Sequence, residues 1–347
     1  MALITIMMAL TIVRRADVAD TAYHIAASAY PAVFPFPVRG ECAATLIDSQ
    51  HALTAAHCFS PGTAGVSMPM TVTLTDATGA SHTATVTDRF LNPCFSFAND
   101  GPNGADLAVL KLSAAVASSV ATPVTRYSGS SEVGSTFALI GWGNFGPASP
   151  SPPTPCTDTS CDQLREGHNV FDRTRGNTLE YTLNEPGGSG TLADEAIAWS
   201  GDSGGPALLG TQLAGINSGG TCCAYGSVDQ YVRVSSTLSR DWIDATISAG
   251  SAQAISDCTP WASTTVGTGA SSGASSGASS PAGDDDGDDD DSVGGVIGGV
   301  IGGCFVPVLM LVLWLSGAFG PKCPSPFAKK PKPDATSDAG IQVNVSR

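Results

Sequence analysis

Three short segments that lie far apart in the chain place the strongest constraint on its fold. Residues 201–206, GDSGGP, form a glycine-rich stretch that presents Ser203 between small residues. A serine hydroxyl is a weak nucleophile and needs a neighbouring base to take its proton. A histidine, His57, occurs upstream in TAAHC, and a carboxylate, Asp106, lies between the two in the apolar run GADLAVL. A fold that uses this chemistry must bring positions 57, 106 and 203 together.

These motifs resemble those of the trypsin/chymotrypsin-like serine proteases. The order histidine, aspartate, serine is that of chymotrypsin, and Cys42 stands at a matching distance from Cys58 in TAAHC. The resemblance covers residues 16–260 and implies an all-β fold of two antiparallel six-stranded β-barrels with a C-terminal helix. It also implies a disulfide between Cys42 and Cys58, which braces the loop that carries the histidine.

The activity that the resemblance implies is hydrolysis of peptide bonds through an acyl-enzyme. Ser203 would attack the carbonyl, His57 would take and return the proton, and Asp106 would orient the imidazole. The backbone N–H groups of Gly201 and Ser203 would bind the oxyanion. His57 as an ordinary core histidine is the alternative, and the other acids considered for the orienting role are Asp88, Asp100 and Asp158.

The substrate pocket departs from the commonest family pattern. Its floor is expected at Ile197, six residues before the nucleophile, where an aspartate would select Lys or Arg and an isoleucine cannot. Ser218 and Gly220 are expected to line the same pocket. Asp229 reaches it from the opposite wall if Tyr231 aligns with the family tyrosine, and we hypothesise that it confers partial preference for Lys or Arg. Basic, apolar and mixed preferences therefore stay open.

The activation signal of the family is missing from this chain in its usual form. Relatives are cleaved before an Ile-Val-Gly-Gly sequence, and the new amino group pairs with the aspartate that precedes the nucleophile, here Asp202. No such sequence occurs, and Arg15 and the residues after it stand in its place. A buried carboxylate needs a partner, so we expect either an amine exposed by cleavage after Arg15, or the side chain of Arg14 or Arg15.

The remaining cysteines of the protease region do not follow the family pattern. Trp199 replaces the cysteine expected just before the nucleophile turn, so Cys222 and Cys223 lack their usual partner. Together with Cys156 and Cys161 they permit three pairings, and we favour cross-links between these loops or a closed Cys156–Cys161 loop. The resemblance brings the loop before Asp106 near the closing helix, which predicts a Cys94–Cys258 disulfide.

The first 15 residues are interpreted as a signal or leader segment. Residues 1–13 are apolar and uncharged, and two arginines follow. Thirteen residues are too few to span a bilayer, but the length fits the apolar part of a secretory signal, although a positively charged start is missing. A buried strand, or a truncated start of the chain, is the alternative.

The chain after the protease region changes composition twice. Residues 261–292 are rich in Ser, Gly and Asp, which predicts a flexible stalk, and its seven aspartates are interpreted as solvated rather than as a calcium site. Residues 293–320 carry no charge over 28 positions, long enough for a transmembrane helix. Lysines in the tail, residues 321–347, place that tail in the cytoplasm by the positive-inside rule.

Composition and spacing exclude several functions. Seven of the 15 net negative charges lie in the stalk, and the protease region has no Lys/Arg cluster, so no nucleic-acid partner is expected. The scattered histidines lack ligand spacing, so neither a metal nor another cofactor is expected. The sequence predicts a single-pass endopeptidase at the cell surface or in secretory-pathway membranes, acting on proteins or peptides. A catalytically silent homologue used in adhesion or signalling is the alternative.

Overall fold

The fold consists mainly of short β-strands and ends in one helix. The computed structural model describes residues 12–36, 42–59, 67–96, 104–149, 163–221, 223–262 and 265–267. The strands up to the middle of the chain are β1 (Ile12–Arg14), β2 (Val33–Phe36), β3 (Cys42–Leu46), β4 (His51–Thr54), β5 (Met70–Thr75), β6 (Ser81–Leu91), β7 (Ala108–Leu112), β8 (Thr125–Arg126) and β9 (Thr136–Gly141). They are followed by β10 (Phe145–Pro147), β11 (Arg165–Val170), β12 (Arg173–Arg175), β13 (Thr178–Thr182), β14 (Ala196–Ile197), β15 (Pro206–Leu209), β16 (Gln212–Gly220), β17 (Val228–Arg233), α1 (Thr237–Ala249) and β18 (Val266–Gly267). Three single-turn 3₁₀ helices cover Asp20–Ala22, Ala27–Ala29 and Ala56–Phe59.

The first large sheet has the strand order β2-β3-β4-β7-β6-β5, and every neighbouring pair is antiparallel. On β5 the apolar residues Val72 and Leu74 are buried while the threonines between them are more exposed. This alternation is expected for a strand with one face on a core. The strands β3, β4 and β7 are buried along nearly their whole length, so they form the centre of the sheet.

The second large sheet has the order β11-β9-β15-β16-β17-β13-β12-β18, and β8 pairs with β16. Six of these strands have four to nine residues, whereas β8, β12 and β18 have only two or three. The two barrel-like sheets confirm the all-β, chymotrypsin-like fold. The second sheet differs from the expected six strands because these three short segments add to it.

A small third sheet contains the first described residues of the chain. The strand β1 lies between β10, to which it is parallel, and β14, to which it is antiparallel. Ile12 and Val13 are fully buried there, and both belong to the core of the second barrel. The folded unit therefore includes residues that the sequence analysis assigned to the leader, and the alternative of a buried strand applies to Ile12–Arg14.

The single α-helix among the described residues closes the protease region. Ser236 caps its N-terminus by accepting a hydrogen bond from the Ser239 N–H, as serine at this position commonly does. Trp242 and Ile243 are buried against the core. Gly250 ends the helix in the left-handed conformation with φ +63°, where glycine is favoured. In the described part of the chain no helix combines the length and the apolar character needed to cross a membrane. The predicted membrane segment and stalk lie almost entirely outside the described residues.

Candidate active site

His57 is presented by a short turn that directly follows a central strand. β4 ends at Thr54, and the 3₁₀ turn Ala56–Phe59 carries the imidazole out of the sheet. A disulfide joins Cys58 in this turn to Cys42 on β3. The neighbours Ala56 and Cys58 are fully buried, whereas about a quarter of the His57 side chain is exposed. The turn is therefore anchored on both sides of a ring that solvent and substrate can reach.

Asp106 lies two residues before β7 and is 1% exposed. Its Oδ1 accepts a hydrogen bond from the backbone N–H of His57 at 2.8 Å, and its Oδ2 accepts one from His57 Nδ1 at 2.6 Å. The hydroxyl of Ser218 also donates to Oδ2, at 2.6 Å. Three donors satisfy the buried charge, and the two bonds to His57 fix both the position of its backbone and the plane of its ring.

Ser203 sits in a glycine-rich turn held by contacts from both barrels. The Ser203 carbonyl accepts a hydrogen bond from Ala43 N–H on β3 at 2.8 Å, and Gly204 N–H donates to the Asn217 carbonyl on β16 at 2.9 Å. Gly204 has φ +76°, and a Cβ there would lie 2.4 Å from the Ala43 carbonyl oxygen. A larger residue cannot occupy this position without moving the strand, which explains why glycine follows the serine.

The hydroxyl, the imidazole and the carboxylate form one hydrogen-bonded series. His57 Nε2 lies 2.7 Å from Ser203 Oγ, on the opposite side of the ring from the Asp106 contact. With Nδ1 donating to the carboxylate, Nε2 is left as the acceptor for the serine proton. The structure thus brings together the three side chains that the sequence placed 49 and 97 residues apart. This geometry can remove a proton from Ser203 and stabilise the imidazolium that results.

The turn before Ser203 also offers two backbone donors. Gly201 has φ +102°, and a Cβ there would lie 2.5 Å from the Gly143 Cα. Within the described residues, neither the Gly201 N–H nor the Ser203 N–H donates a hydrogen bond. Unused N–H groups of a nucleophile and of the residue two positions before it can stabilise a developing oxyanion. The left-handed conformation that orients Gly201 is one that only glycine adopts without strain.

A cavity of about 160 Å³ opens beside the nucleophile. Its lining differs from the expected one at two positions. Ile197 is fully buried in the core of the second barrel, paired with Val13, and is not part of the lining. Ser218 is directed to Asp106 instead of the cavity. Gly220 and Asp229 do line it, as expected, together with Ala198, Trp199, Ser200, Ser203, Asn217, Gly219 and Thr221.

The Asp229 carboxylate is 2% exposed and is held by neutral donors. Gln230 N–H donates to Oδ1 at 2.6 Å, and Tyr181 and Asn217 donate to Oδ2 at 3.2 and 3.3 Å. Burial raises the pKa of Asp229 to about 7, against the hydrogen bonds, which lower it. Tyr181 also accepts a hydrogen bond from the Ala198 N–H, so its hydroxyl connects two walls of the cavity. No local sequence signal marked Tyr181.

Asp202 is buried behind the nucleophile, but neither arginine proposed as its partner reaches it. Its carboxylate accepts hydrogen bonds from the N–H groups of Gly143, at 2.8 Å, and Trp199, at 2.9 Å. Arg14 lies 4.0 Å from Asp20 and donates to backbone carbonyls, and Arg15 pairs with Asp17. The expectation of an Arg14 or Arg15 partner was wrong, because Arg14 at the end of β1 lies near Asp20 and Arg15, which follows the strand, pairs with Asp17.

The other predicted cysteine pairs are only partly within the described residues. The structure contains the Cys94–Cys258 disulfide, which links the segment before Asp106 to the residues after α1. Cys223 is also disulfide-bonded. Cys156, Cys161 and Cys222 lie outside the described residues, as do the candidate acids at 100 and 158. In the described ranges no group of three or more His, Cys, Asp or Glu side chains is arranged to hold a metal ion.

The two-barrel fold, with a serine, a histidine and an aspartate in hydrogen-bonded series between the barrels, defines the class of chymotrypsin-like serine hydrolases. Comparison with known proteins specifies the family. The sequence profile of the trypsin family matches residues 24–243, and the chain belongs to this family. It is a serine endopeptidase.

Individual relatives agree with this assignment. The chain is similar to human (Homo sapiens) kallikrein-11, with 29% identity over 223 residues, which cover 59% of this chain and 71% of the relative. Its fold is similar to that of neuropsin, a serine protease expressed in the limbic system of mouse brain. That match has a TM-score of 0.51 at 19% identity and covers 65% of this chain and 98% of the neuropsin chain. At this identity the structural match supports the fold alone.

Proposed function

We propose that the protein is a membrane-tethered endopeptidase in which His57, Asp106 and Ser203 hydrolyse peptide bonds through an acyl-enzyme. The observation that carries the proposal is the hydrogen-bonded series, with 2.6 Å between Asp106 Oδ2 and His57 Nδ1 and 2.7 Å between His57 Nε2 and Ser203 Oγ. Proteins or peptides are the substrates that the family implies.

The steps follow from the positions of these atoms. Ser203 Oγ attacks the peptide carbonyl while its proton passes to His57 Nε2, and the buried Asp106 carboxylate stabilises the imidazolium. The carbonyl oxygen becomes an oxyanion between the N–H groups of Gly201 and Ser203, and one such donor contributes about 10²–10³ in rate. Nε2 then protonates the leaving amine. In the second half of the reaction His57 takes a proton from water, which attacks the acyl-enzyme carbonyl, and the proton returns to Ser203 Oγ as the acyl group leaves.

Labelling with a fluorophosphonate probe tests the proposal directly. The mature chain, cleaved near its N-terminus, should take up one label per molecule, and the same form of Ser203→Ala should take up none. Ser251→Ala is the matched control, because Ser251 is exposed and its hydrogen bonds within the described residues are to the nearby Gln253. Absence of label on folded protein that has been cleaved, whether before Ile12 or after Arg15, would reject the activity and favour the silent homologue.

Labelling requires a mature active site, and two observations favour Ile12 as the residue that completes it. Ile12 and Val13 are an apolar pair buried beside β10. This strand begins two residues after Gly143, whose N–H donates to the Asp202 carboxylate. Ile12 is the one non-glycine residue in the described ranges with positive φ, +47°, a strained value for a β-branched residue. Cleavage before Ile12 removes the carbonyl carbon of residue 11, so the strained φ of Ile12 no longer exists. It also creates an α-amino group that can pair with the Asp202 carboxylate.

A cleavage variant tests this activation step. Residues 7–11 are replaced by an enteropeptidase recognition sequence, and the labelling rate is measured before and after cleavage. We expect the rate to rise after cleavage before Ile12. Cleavage after Arg15 serves as the control, because the Ala16 N–H already donates to the Tyr225 hydroxyl at the surface. A rise only after the second cleavage would reject Ile12.

The membrane tether rests on the sequence of residues 293–320 and on the lysines that follow it. An uncharged stretch of this length is long enough to cross the hydrocarbon core, and the lysines orient the protease domain to the extracellular or lumenal side. The full chain should remain in the membrane pellet after carbonate extraction, whereas a chain ending at residue 292 should be released. Release of both forms would reject the tether.

A further inference from the structure

The first described residues of the predicted stalk are part of the folded protease unit. Trp261 is 3% exposed and lies in the apolar core that contains β3, β4 and β7. β18 pairs with β12 at the edge of the second sheet, and the Thr265 carbonyl accepts a hydrogen bond from the Gly176 N–H at 2.7 Å. We call residues 261, 262 and 265–267 the stalk root. It is attached both to this core and to the second sheet.

Asn177 connects the stalk root to the loop before the catalytic acid. It follows Gly176 in the turn between β12 and β13 and is 2% exposed. Its side-chain NH₂ donates to the Gly104 carbonyl at 2.6 Å and to the Ser239 hydroxyl on α1 at 3.0 Å. Its own carbonyl accepts a hydrogen bond from the Arg233 N–H on β17. One buried residue therefore joins a hairpin of the second barrel, the closing helix and residue 104.

Gly104 is enclosed between Asn177 and the stalk root. A Cβ at position 104 would lie 2.3 Å from the Asn177 Cβ and 3.1 Å from the Trp261 carbonyl oxygen. One fully buried residue separates Gly104 from Asp106. Because the peptide planes between them are rigid, a displacement of the Gly104 carbonyl also displaces Asp106. The close packing at Gly104 thus bears directly on the position of the acid.

An acid that orients an imidazole must itself be held by groups other than that imidazole. The Asp106 carboxylate is bound by His57 and Ser218, which lie on the side of the site that it has to orient. Its backbone is held from the other side. The Leu107 carbonyl accepts a hydrogen bond from the Asn92 N–H at 3.0 Å, and Asn177 holds the opposite end of the segment at Gly104.

From this arrangement we infer that Asn177 is a positioning residue for Asp106 and that the stalk root supports it in this role. Pairing of β18 with β12 fixes the turn that carries Asn177, and Trp261 closes the other side of Gly104. Proteolytic release of the protease from its tether therefore preserves full activity only if the cut falls after Gly267. The inference rests on the proposed function, because it concerns turnover by the Ser203 triad.

Asn177→Ala in the full mature chain tests the contact with Gly104. The alanine keeps the Cβ and removes both amide donors. On a fluorogenic peptide that the unaltered mature chain cleaves, kcat should fall about 10- to 100-fold, since small displacements of catalytic groups have effects of this size. KM should not change, because Asn177 is not part of the cavity lining.

Asn184→Ala is the matched control for this substitution. It also removes an amide that makes two hydrogen bonds in the second barrel, to Thr182 and Glu195, away from residue 104. Thermal melts establish that both variants are folded. A loss in kcat of less than about threefold in Asn177→Ala, or a loss no greater than that of Asn184→Ala, would overturn the inference.

A second variant tests the stalk root without altering Asn177. Replacing Thr265, Val266 and Gly267 by proline removes the backbone donors of this segment, which a paired strand needs. The control is the same replacement at residues 271–273, further along the predicted stalk. We expect kcat to fall about two- to tenfold with no change in KM, and the control to match the unaltered chain. An equal kcat in both replacements would contradict a role for the stalk root.

Combining the two changes tests whether the stalk root acts through Asn177. If it does, the proline replacement should lower kcat no further in a chain that already carries Asn177→Ala. Losses that multiply would mean that the stalk root and Asn177 act independently, which would overturn the inference.

Proton NMR of the His57 Nδ1–H separates positioning from a merely structural role. This proton lies in the 2.6 Å contact with Asp106, so its resonance reports that contact without any turnover. It should shift in Asn177→Ala and stay unchanged in Asn184→Ala, and an unchanged resonance in Asn177→Ala would overturn the inference. Failure of the proposed function is a different result, namely a mature unaltered chain that shows neither turnover nor fluorophosphonate label.

Discussion

Replacing Asp106 by Asn perturbs the hydrogen-bonded series at its buried end without changing its size. An asparagine side chain has one acceptor oxygen and an NH₂ group that only donates. If the NH₂ takes the position of Oδ1, it faces the His57 backbone N–H, which cannot accept a hydrogen bond. If it takes the position of Oδ2, it faces His57 Nδ1 and the Ser218 hydroxyl, and both of these can accept.

The second orientation should prevail, because the first leaves a buried N–H without a partner at a cost of about 1–3 kcal/mol. In that orientation Nδ1 becomes an acceptor and the ring proton moves to Nε2. Nε2, 2.7 Å from Ser203 Oγ, then cannot take the serine proton. The wrong tautomer lowers kcat by about 10⁴ in triads of this kind, which corresponds to about 5 kcal/mol of transition-state stabilisation.

The assay compares kcat on a lysine peptide at pH 8 for the unaltered chain, Asp106→Asn and Asp88→Asn. Asp88 is the matched control, because it is exposed on β6 and its carboxylate contacts the hydroxyl of the adjacent Thr87. Thermal melts establish that each variant is folded. A loss of less than tenfold in folded Asp106→Asn would refute the reasoning, since it would mean that the ring proton does not depend on this carboxylate.

Three further substitutions test other contacts. Ser218→Ala removes one of three hydrogen bonds to Asp106, worth about 0.5–1.5 kcal/mol, so kcat/KM should fall between twofold and about 13-fold while the melting temperature changes little. Gly201→Ala places a Cβ 2.5 Å from the Gly143 Cα at φ +102°, so the turn must shift, and fluorophosphonate labelling should slow by about 10² or more through loss of one oxyanion donor. Phe137→Ala removes a ring at the centre of the second barrel's aromatic cluster, and denaturant unfolding should show a loss of about 3–5 kcal/mol.

Each of these results has an outcome that contradicts it. A normal labelling rate in Gly201→Ala would mean that its N–H is not an oxyanion donor. A loss of 10⁴ in Ser218→Ala would mean that Ser218 does more than help to hold Asp106. A loss in Phe137→Ala no greater than that of an exposed residue would mean that the stacked rings do not form part of the core.

The sequence predicted the elements whose signals are local. The motifs around His57, Asp106 and Ser203 carried the resemblance that implied the all-β fold and its C-terminal helix, and α1 lies at that closing position. The positions of His57, Asp106 and Ser203 came from motifs that each contain a small residue or glycine where the backbone approaches another strand. Gly204 lies against the Ala43 carbonyl in this way, and the close approach requires the glycine that is seen in the motif GDSGGP.

The features that the sequence did not predict depend on pairing between distant segments. Ile12 and Val13 are as apolar as a secretory signal, and only their pairing with Phe145 and Ile197 makes them a strand of the protease unit. That pairing directs Ile197 into the core and leaves Ala198 at the cavity. Successive residues of a strand point to opposite faces, so alternation alone settles neither position.

The two-residue alternation along a strand also explains why Ser218 does not line the cavity, although both of its neighbours do. Asn217 and Gly219 face the cavity and Ser218 faces Asp106, while a register shift between β16 and β17 at this point returns Gly220 to the cavity as well. A β-bulge of this kind redirects side chains next to it. The sequence gives the residue types here but not the register at which the two strands pair.

The Cys94–Cys258 disulfide encloses a loop of 164 residues that contains Asp106 and Ser203. An enzyme that cuts polypeptides is exposed to other copies of itself, and one cut between the two cysteines leaves its two pieces covalently joined. Such a nicked molecule would run as a single band on a non-reducing gel and separate only after reduction. After a self-inflicted cut within this loop, the disulfide therefore keeps the piece that carries His57 joined to the piece that carries Ser203.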